Sequence, residues 1–263
     1  MANPLARAVR SFFSWNRRIS DRIERRLPQA RDNVFNLYDL SAAGLLTGGA
    51  GQRVIDIGGG KTCSYLNCPS GSGAATAAGT RPWVVALDIS REEIGSNRDV
   101  DAKVVADVLD GLPFRDESVH LVTSRSVVEH IRDVRRLFSS SHRILRRGGH
   151  CVHLFPCKFA PFALINQALP SSVARALLYS IRPESRGICG FPAVYDRCYD
   201  SAIRSILVEE GFELVSLRLS YYQSGYFDFL VPLFLISAAY EWLVYSLGVR
   251  NLAAYMLVIA RKP

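Results

Sequence analysis

Short runs of β-branched residues alternate with helical patterns between residues 52 and 156, and this alternation limits the possible folds most strongly. Five runs predict strands: Arg53–Ile57, Trp83–Asp88, Lys103–Ala106, Val119–Ser124 and His150–Phe155. Strands separated by helices form a parallel sheet covered on both faces, because every parallel connection needs a crossover. Such crossovers are right-handed, which leaves few topologies. The pattern therefore predicts an α/β fold with a doubly wound, mostly parallel sheet.

Apolar residues at helical spacing separate the last two of these runs. They are Val134, Leu137, Phe138, Ser141, Ile144 and Leu145. Residues three and four apart share one face of a helix, so the set predicts one amphipathic helix. The run Arg146–Gly149 is expected to end this helix, since basic residues and glycine are typical of helix C-termini.

Three apolar regions follow the alternating part of the chain. They are Phe159–Ile181, broken at Pro170; Tyr199–Glu210, which Gly211 ends before a strand at Phe212–Ser220; and Phe229–Leu247, before a last strand at Leu252–Ala260. The third has the length of a membrane span, but it contains Glu241 and has Pro232 in its first turn. The last strand must also return to the sheet. We expect a helix that packs on the core or enters a membrane interface.

The first segment, Pro4–Leu27, places arginines between apolar residues at three- and four-residue steps, which predicts a basic amphipathic helix. Residues 1–31 carry eight arginines against Asp21 and Glu24, so they supply +6 of the net charge of +8. A charge confined to one arm, without a recognisable nucleic-acid module, predicts no nucleic-acid partner. Two interpretations remain open: a helix packed on the main domain with a solvated basic face, or one resting on an anionic membrane surface.

A length of 263 residues with a globular composition allows one or two domains. We predict a basic helical extension at residues 1–48 and one domain at residues 49–263, with apolar helical insertions near 157–198 and 224–249. Six cysteines without a predicted secretory signal indicate free thiols and a cytoplasmic location, with membrane contact left open. Cys63 and Cys68 have no second close pair downstream, so buried or loop thiols are favoured over a zinc site.

A glycine turn directly follows the first predicted strand. Gly58, Gly59 and Gly60 allow positive φ and let a ligand approach the backbone closely. Acidic residues stand at the ends of three consecutive predicted strands: Asp56, Asp88 and Asp107. The carboxyl ends of parallel strands meet at one edge of a sheet, so we expect these carboxylates to line one crevice. A carboxylate there can accept hydrogen bonds from both hydroxyls of a ribose.

Two other nucleotide-binding patterns fail at this turn. The run Gly60–Thr62 resembles the end of a P-loop, but the glycine required five positions before Gly60 is Ile55. The dinucleotide fingerprint G-x-G-x-x-G, counted from Gly58, has Cys63 at its third glycine. Both patterns are therefore disfavoured, although an NAD(P)-dependent oxidoreductase on a similar sheet remains an alternative.

Five motifs, in this order, resemble the class I S-adenosylmethionine-dependent methyltransferases, in the branch that contains ubiquinone-biosynthesis and related small-molecule enzymes. They are Val54–Gly60 (VIDIGGG), Val85–Ser90 (VALDIS), Ala106-Asp107 with Leu112–Phe114, Asp116–Val119, and Val127–Ile131 (VVEHI). The resemblance runs from about residue 52 to 156 and continues more weakly to the C-terminus. It implies a Rossmann-like methyltransferase fold with a reversed final strand and helical additions. It further implies S-adenosyl-L-methionine as cofactor and methyl transfer to a small-molecule, lipid or lipid-linked acceptor.

The resemblance implies roles for residues near the glycine turn. Asp56 and the turn Gly58–Gly60 would hold the methionine end of the cofactor, and Asp88 would bind the ribose hydroxyls. The family usually has G-x-G-x-G here, whereas Thr62 replaces the last glycine in this chain. The segment that follows the turn is also longer than usual, so the cover of the cofactor is expected to differ.

Further roles fall on the next three predicted strand ends. Ile89 would lie against the adenine, Asp107 would reach its amino group, and Val108 would supply a neighbouring backbone donor. The backbone of Ser124 and Arg125 would line the sulfonium region. Core packing remains the alternative role for Ile89 and Val108.

The methyl acceptor is less constrained by the sequence. His130 and His153 are candidate general bases, with a structural hydrogen bond as the alternative role for His130. Some relatives bind a divalent metal through a Glu three residues before the Glu-His pair, but that position is Ser126, so no metal is predicted. The apolar insertions and the basic helix are expected to share a membrane-docking face. A non-catalytic, membrane-associated nucleoside-binding module remains a further alternative.

Overall fold

The computed structural model describes residues 4–27, 33–46, 51–68, 81–181 and 192–263. The described strands are β1 (Arg53–Ile57), β2 (Trp83–Asp88), β3 (Ala102–Val105), β4 (Val119–Arg125), β5 (Leu145–Pro156), β6 (Glu213–Ser220) and β7 (Tyr255–Arg261). The described helices are α1 (Pro4–Glu24), α2 (Val34–Leu45), α3 (Arg91–Gly95), α4 (Val134–Ile144), α5 (Pro161–Ala168), α6 (Ser171–Ile181), α7 (Asp200–Glu209) and α8 (Val231–Ser246).

The strands form one seven-stranded sheet in the order β3-β2-β1-β4-β5-β7-β6. β1 to β5 are parallel, whereas β7 runs antiparallel between β5 and β6. The predicted doubly wound, mostly parallel sheet with a reversed final strand is therefore confirmed. The strand order reverses between β1 and β4, and in open α/β sheets ligands bind outside the carboxyl ends of the strands at such a switch point.

The predicted strand bounds agree with the structure or differ by one residue at most ends, whereas β7 begins three residues later than predicted and β5 differs most. It begins at Leu145, which pairs with Val119, and the register then shifts before Leu121 pairs with His150. The run Arg146–Gly149 therefore continues β5 as an irregular stretch and does not end α4, which stops at Ile144. The reason is that Gly148 N–H donates to the Lys262 carbonyl and Gly149 O accepts from Lys262 N–H, so the C-terminus supplies the pairing.

Helix α2 belongs to the main core. Its buried residues Tyr38 and Ala42 lie in the same apolar cluster as Val54 of β1 and Leu154 of β5. Part of the segment predicted as an extension at 1–48 therefore covers the sheet. Helices α4 and α7 also contribute to this apolar cluster. Phe138 of α4 and Ile203 of α7 are both fully buried in it.

The predicted break at Pro170 separates α5 from α6, and Pro232 lies in the first turn of α8. α1 packs against the start of α8: Asn16 Oδ1 accepts from Val231 N–H at 3.0 Å, and Ser20 Oγ donates to the Asp228 carbonyl at 3.1 Å. Within the described ranges, no helix has the length and apolarity needed to cross a membrane.

Candidate functional site

The glycine turn joins the carboxyl end of β1 to that of β2. Gly58 N–H donates to the Leu87 carbonyl at 2.7 Å, and Gly58 has a φ of +68°. A Cβ at Gly58 would lie 2.1 Å from Cγ2 of Val127, and one at Gly59 would lie 2.7 Å from Cβ of Ala86. Because real Cβ atoms do not approach so closely, the first two positions of the turn require glycine.

Asp88 ends β2 and binds both this turn and the next helix. Its Oδ2 accepts a hydrogen bond from Gly60 N–H at 3.1 Å, and its Oδ1 accepts one from Ser90 N–H at 2.8 Å. Ser90 in turn caps α3 by accepting from Glu93 N–H. The next residue, Ile89, is 55% exposed, so the alternative of core packing is wrong for this side chain. A carboxylate and an exposed apolar side chain thus stand together at the tip of β2.

Asp56 is buried one residue before the end of β1. Thr123 Oγ1 donates to its Oδ1 at 2.7 Å, and Cys63 Sγ donates to its Oδ2 at 3.2 Å. Burial raises the pKa of Asp56 to about 6, against the lowering effect of these donors, and the Asp88 carboxylate raises it further. Asp56 and Asp88 therefore lie within electrostatic range. Both Asp56 oxygens already hold protein hydrogen bonds, which ties β1 to β4 and to the segment after the glycine turn.

Cys63 is a buried thiol at this position. Burial and the neighbouring Asp56 carboxylate both raise its pKa, so the thiol stays protonated and donates to Asp56. The five described cysteines are free thiols, and Cys189 lies outside the described residues. No group of three His, Cys, Asp or Glu side chains suited to a metal ion occurs in the part of the chain that the structure describes.

Asp107 follows β3, on the far side of β2 from the glycine turn. Its Oδ1 accepts from Leu109 N–H at 2.8 Å and so caps a short 3₁₀ turn at Val108–Asp110. Val108 is buried among the core residues, and Asp107 itself is half-buried. The sheet thus places Asp107 at the same edge as Asp88, one strand further out.

At the end of β4, Ser124 and Arg125 face different surroundings. Ser124 is fully buried, and its Oγ lies 2.7 Å from Nδ1 of His153. Burial lowers the pKa of His153 to about 3, and its ring packs edge-on against Phe138 of α4. Arg125 is exposed, with Nη1 3.9 Å from Oδ1 of Asp39. A fully buried, neutral His153 lies under the sheet edge and not on its surface.

His130 ends a 3₁₀ turn at Val128–His130, directly after β4. Its Nδ1 lies 3.1 Å from the Pro192 carbonyl, so Nδ1 carries the proton and Nε2 keeps its lone pair. Burial lowers the pKa of His130, which favours the neutral ring. The preceding residue, Glu129, is 4% exposed, and its Oε1 lies 3.8 Å from His130 Nε2. The sequence analysis assigned no role to Glu129; its place beside the candidate base was the available signal.

Aromatic side chains gather at the other half of the same edge. Phe162 of α5 stacks on Tyr226 and Tyr255, with ring centroids 4.4 and 5.7 Å apart, and the two tyrosine hydroxyls are hydrogen-bonded. Tyr255 begins β7 opposite Pro156, the last residue of β5. We call Phe162, Tyr226 and Tyr255 the aromatic cluster. The carboxyl edge of the sheet therefore has two halves. The half at β1 to β3 carries the glycines and carboxylates, and the half at β5 to β7 carries the aromatic cluster.

A separate groove of about 600 Å³ lies at the opposite edge of the sheet. The groove is lined by Phe114 and by the first residues of three strands, which are Arg53, Trp83 and Val119. Because ligands of open α/β sheets bind at the carboxyl ends of the strands, this groove is not the candidate site.

The comparisons with known proteins agree with this arrangement. Residues 57–153 match the family model described as "Methyltransferase domain". An arsenite methyltransferase of Halobacterium salinarum is 28% identical over 207 residues, which are 73% of this chain and 47% of that protein. An uncharacterized methyltransferase of Mycobacterium sp. (strain KMS) is 31% identical over 162 residues, 60% of each chain. The chain thus spans only about half to three fifths of these relatives.

Among solved structures, the geranyl diphosphate C-methyltransferase from Streptomyces coelicolor A3(2), in complex with Mg²⁺, a substrate analogue and S-adenosyl-L-homocysteine, is similar to this chain. It has a TM-score of 0.50 and 16% identity, over 85% of this chain and 76% of that one. At this identity the likeness shows the fold alone. Together with the family match, it confirms the resemblance that the five motifs indicated.

Proposed function

We propose that the protein transfers a methyl group from S-adenosyl-L-methionine to a small-molecule, lipid or lipid-linked acceptor, on the premise that residues 57–153 match the methyltransferase domain family and that the sheet has the corresponding strand order. One observation carries the proposal: the glycine turn after β1 is bonded to the Asp88 carboxylate at the switch point of the sheet. A nucleoside cofactor needs a close backbone approach and a carboxylate for its ribose at this point.

The residues at this edge fit S-adenosyl-L-methionine. Asp88 presents a carboxylate held by two backbone donors, and the exposed Ile89 beside it offers an apolar surface for an adenine ring. A Cβ on Gly60 would meet the Gly58 carbonyl oxygen at 3.7 Å and Glu93 Oε2 at 3.9 Å, which are ordinary van der Waals distances, so this position of the turn is less crowded than Gly58 and Gly59. Asp107 stands one strand further out, in reach of the edge where an adenine amino group would lie.

When bound, the cofactor supplies a methyl group on a positively charged sulfur, which is a good leaving group. The protein's task is then to align the acceptor and to exclude water from the reacting atoms. In our proposal Asp56 holds the turn through Thr123 and Cys63, and the backbone of Ser124 and Arg125 borders the reacting end. This division assigns cofactor binding to β1–β3 and acceptor binding to β4–β7.

The two histidines take different proposed roles. His130 is neutral, lies in the 3₁₀ turn after β4, and belongs to the half of the edge assigned to the acceptor, so we retain it as the candidate base for a hydroxyl acceptor. His153 is fully buried and bonded to Ser124, so we propose that it positions the end of β4 and does not contact the acceptor.

We further propose that α1 and α8 bring the site to an anionic membrane surface. Glu241 is the only charged residue of α8, and it is fully buried, where Gln223 N–H donates to its carboxylate at 2.9 Å. The exposed face is therefore uncharged, and it carries Ile236 and Trp242, which are 66% and 61% exposed. Exposed apolar faces of this kind are typical of binding surfaces.

Helix α1 complements this face. Phe12 and Trp15 are half exposed on α1, and the same helix carries arginines that an anionic surface would attract. Because α1 packs on the start of α8, aromatic, apolar and basic groups belong to one connected unit. A membrane surface accommodates all three, which supports a lipid or lipid-linked acceptor.

The function is tested with deuterium-labelled S-adenosyl-L-methionine, the purified protein and total lipid and metabolite extracts of cells that lack the gene. We expect mass spectrometry to show one acceptor that gains a labelled methyl group only when the protein is present. A stabilisation of the protein by NAD(P) but not by S-adenosyl-L-homocysteine in thermal denaturation would instead favour the oxidoreductase alternative.

A further inference from the structure

Glu129 is a buried carboxyl group in the 3₁₀ turn after β4, and one of its oxygens has no hydrogen-bond partner within the described ranges. It is 4% exposed, and among the described residues its Oε2 has no hydrogen-bond partner. Its backbone carbonyl accepts hydrogen bonds from the N–H groups of Val194 and Tyr195, at 2.7 and 2.8 Å, so the turn that carries it is fixed in place. A buried polar atom without a partner costs free energy and marks a place where a bound molecule can supply the missing bond.

When it is ionised, the Glu129 carboxylate has no compensating positive charge beside it among the residues that the structure describes. In the described part of the chain no arginine or lysine forms an ion pair with it, and its nearest basic group is His130, which burial keeps neutral. Burial raises the pKa of Glu129 itself to about 8, because the ionised form loses its hydration. A cationic ligand would therefore complete a site that the protein leaves short of positive charge.

The surroundings of Glu129 belong to the acceptor half of the edge. Burial is the largest cause of the raised pKa of Tyr195 and of Tyr255. The Glu129 carboxyl raises both pKa values further, for Tyr255 after the larger effect of Tyr226, so Tyr255 of the aromatic cluster lies within the electrostatic range of Glu129. A second unsatisfied group contacts the same cluster: Gln223 is 1% exposed, and its Oε1 accepts from Phe162 N–H, while its Nε2 has no partner among the described residues. Oε2 of Glu129 thus lacks a hydrogen-bond donor, and Nε2 of Gln223 lacks an acceptor, among the described residues.

We propose that Glu129 binds the methyl acceptor through an amino group, so that the substrate class is an amine with an apolar neighbouring part. This inference rests on the proposed methyl transfer. The ammonium group of the acceptor donates to Oε2 of Glu129, and the aromatic cluster packs against the apolar part and excludes water. Glu129 is then a catalytic residue, since it contacts the reacting nitrogen.

The proton and electron balance is simple. The carboxylate of Glu129 takes one proton from the ammonium group, which leaves a neutral amine with a lone pair. That lone pair forms the new nitrogen–carbon bond, the carbon–sulfur bond breaks, and its electron pair goes to the sulfur, which becomes S-adenosyl-L-homocysteine. The product is a methylated ammonium, and Glu129 loses its proton to solvent when the product leaves.

The test uses two probes of equal length, hexylamine and hexanol, and the full chain saturated with S-adenosyl-L-homocysteine at pH 7.5. Binding is measured by calorimetry for the wild type, for Glu129→Gln and for Glu241→Gln. The last variant is a matched control, because Glu241 is also a buried carboxyl but accepts hydrogen bonds from Gln223, Ser224 and Ser237. We expect the wild type and Glu241→Gln to bind hexylamine at least tenfold more tightly than hexanol, and Glu129→Gln to lose this preference.

Each outcome separates the two proposals. If S-adenosyl-L-homocysteine binds but hexylamine and hexanol bind equally, or if Glu129→Gln keeps the preference, the amine inference is wrong and the methyltransferase proposal stands. A preference for hexanol would point to a hydroxyl acceptor and would also overturn the inference. If the wild type does not bind S-adenosyl-L-homocysteine at all, the proposed function itself fails.

Discussion

The Asp88 carboxylate accepts a hydrogen bond from the backbone N–H of Gly60, 3.1 Å away, and this bond joins the tip of β2 to the glycine turn after β1. Residues 28 positions apart in the sequence thus form one unit at the carboxyl edge of the sheet. The parallel pairing of β1 with β2, in register from Arg53–Trp83 to Ile57–Leu87, brings them together. The cofactor half of the proposed site depends on this contact.

Replacing Gly58 by alanine should destabilise the protein by about 2–4 kcal/mol, because the new Cβ meets Val127 at 2.1 Å and the residue keeps a positive φ. Urea denaturation measures the change. The double variant Gly58→Ala/Val127→Ala should recover part of the loss, since it removes the methyl group in the way. Gly44→Ala is the control: it lies in α2, where an added Cβ would meet no described atom within 4 Å beyond its neighbours and its own helix backbone, and it should be neutral or stabilising. Equal stability of Gly58→Ala and the wild type would contradict the close packing of the turn.

Thr123→Val should cost about 2 kcal/mol at pH 8, because Asp56 then loses its 2.7 Å hydrogen bond while it is ionised. The pKa of Asp56 is about 6, so below pH 5 its carboxyl is protonated and the cost should be smaller. Denaturation at the two pH values gives the difference. Thr62→Val, at an exposed position, should show no such dependence on pH. A cost that is the same at pH 5 and pH 8 would argue against a charged hydrogen bond at Asp56.

Glu129→Gln should stabilise the protein at high pH. The folded-state pKa of Glu129 is raised to about 8 from 4.5, so the folded protein holds this proton more tightly than the unfolded chain. The wild type therefore loses stability as the pH rises from about 4.5 to 8, and the variant lacks this loss. At pH 9 the variant should be more stable by up to roughly 5 kcal/mol, whereas at pH 4 the two should be similar. A variant less stable than the wild type at pH 9 would show that the charged carboxylate has a stabilising partner.

Binding to vesicles should depend on the exposed face of α8. The wild type should sediment with phosphatidylglycerol vesicles at low salt and much less with phosphatidylcholine vesicles or at high salt, because the basic residues of α1 provide the attraction. The variant Ile236→Gln/Trp242→Gln/Leu243→Gln should bind at least tenfold more weakly. Val208→Gln is the control, because Val208 is an apolar residue that is 78% exposed but belongs to α7 and not to α1 or α8. A wild type that stays in the supernatant with every vesicle would exclude the docking surface.

The sequence was sufficient for the parts of the fold that local patterns determine. β1 and β2 were predicted with their observed bounds, and the glycine turn follows β1 as expected. The start of β5 was wrong because the residues before His150 pair with Lys262 at the far end of the chain, which no local pattern reveals. The packing of α2 in the main core was not predicted for the same reason, since Tyr38 is buried in a cluster with residues that are distant in the sequence.

Local sequence patterns also predicted only part of the candidate site. Strand ends and glycines placed Asp88 and Ile89 correctly at the sheet edge, because parallel strands end together. Strand alternation could not decide on which side His153 lies, and its burial against Phe138 depends on how α4 packs. Glu129 was missed because its turn is held by the N–H groups of Val194 and Tyr195, more than 60 positions later, and no local pattern reveals this contact.

The most direct test of the cofactor site is calorimetric titration of S-adenosyl-L-homocysteine into the wild type and into Asp88→Ala, with Asp116→Ala, an exposed acidic position, as the control. We predict that the wild type and Asp116→Ala bind with similar affinity, and that Asp88→Ala binds at least tenfold more weakly or not at all while remaining folded. Equal affinity of a folded Asp88→Ala and the wild type would contradict a cofactor held at the tips of β1 and β2.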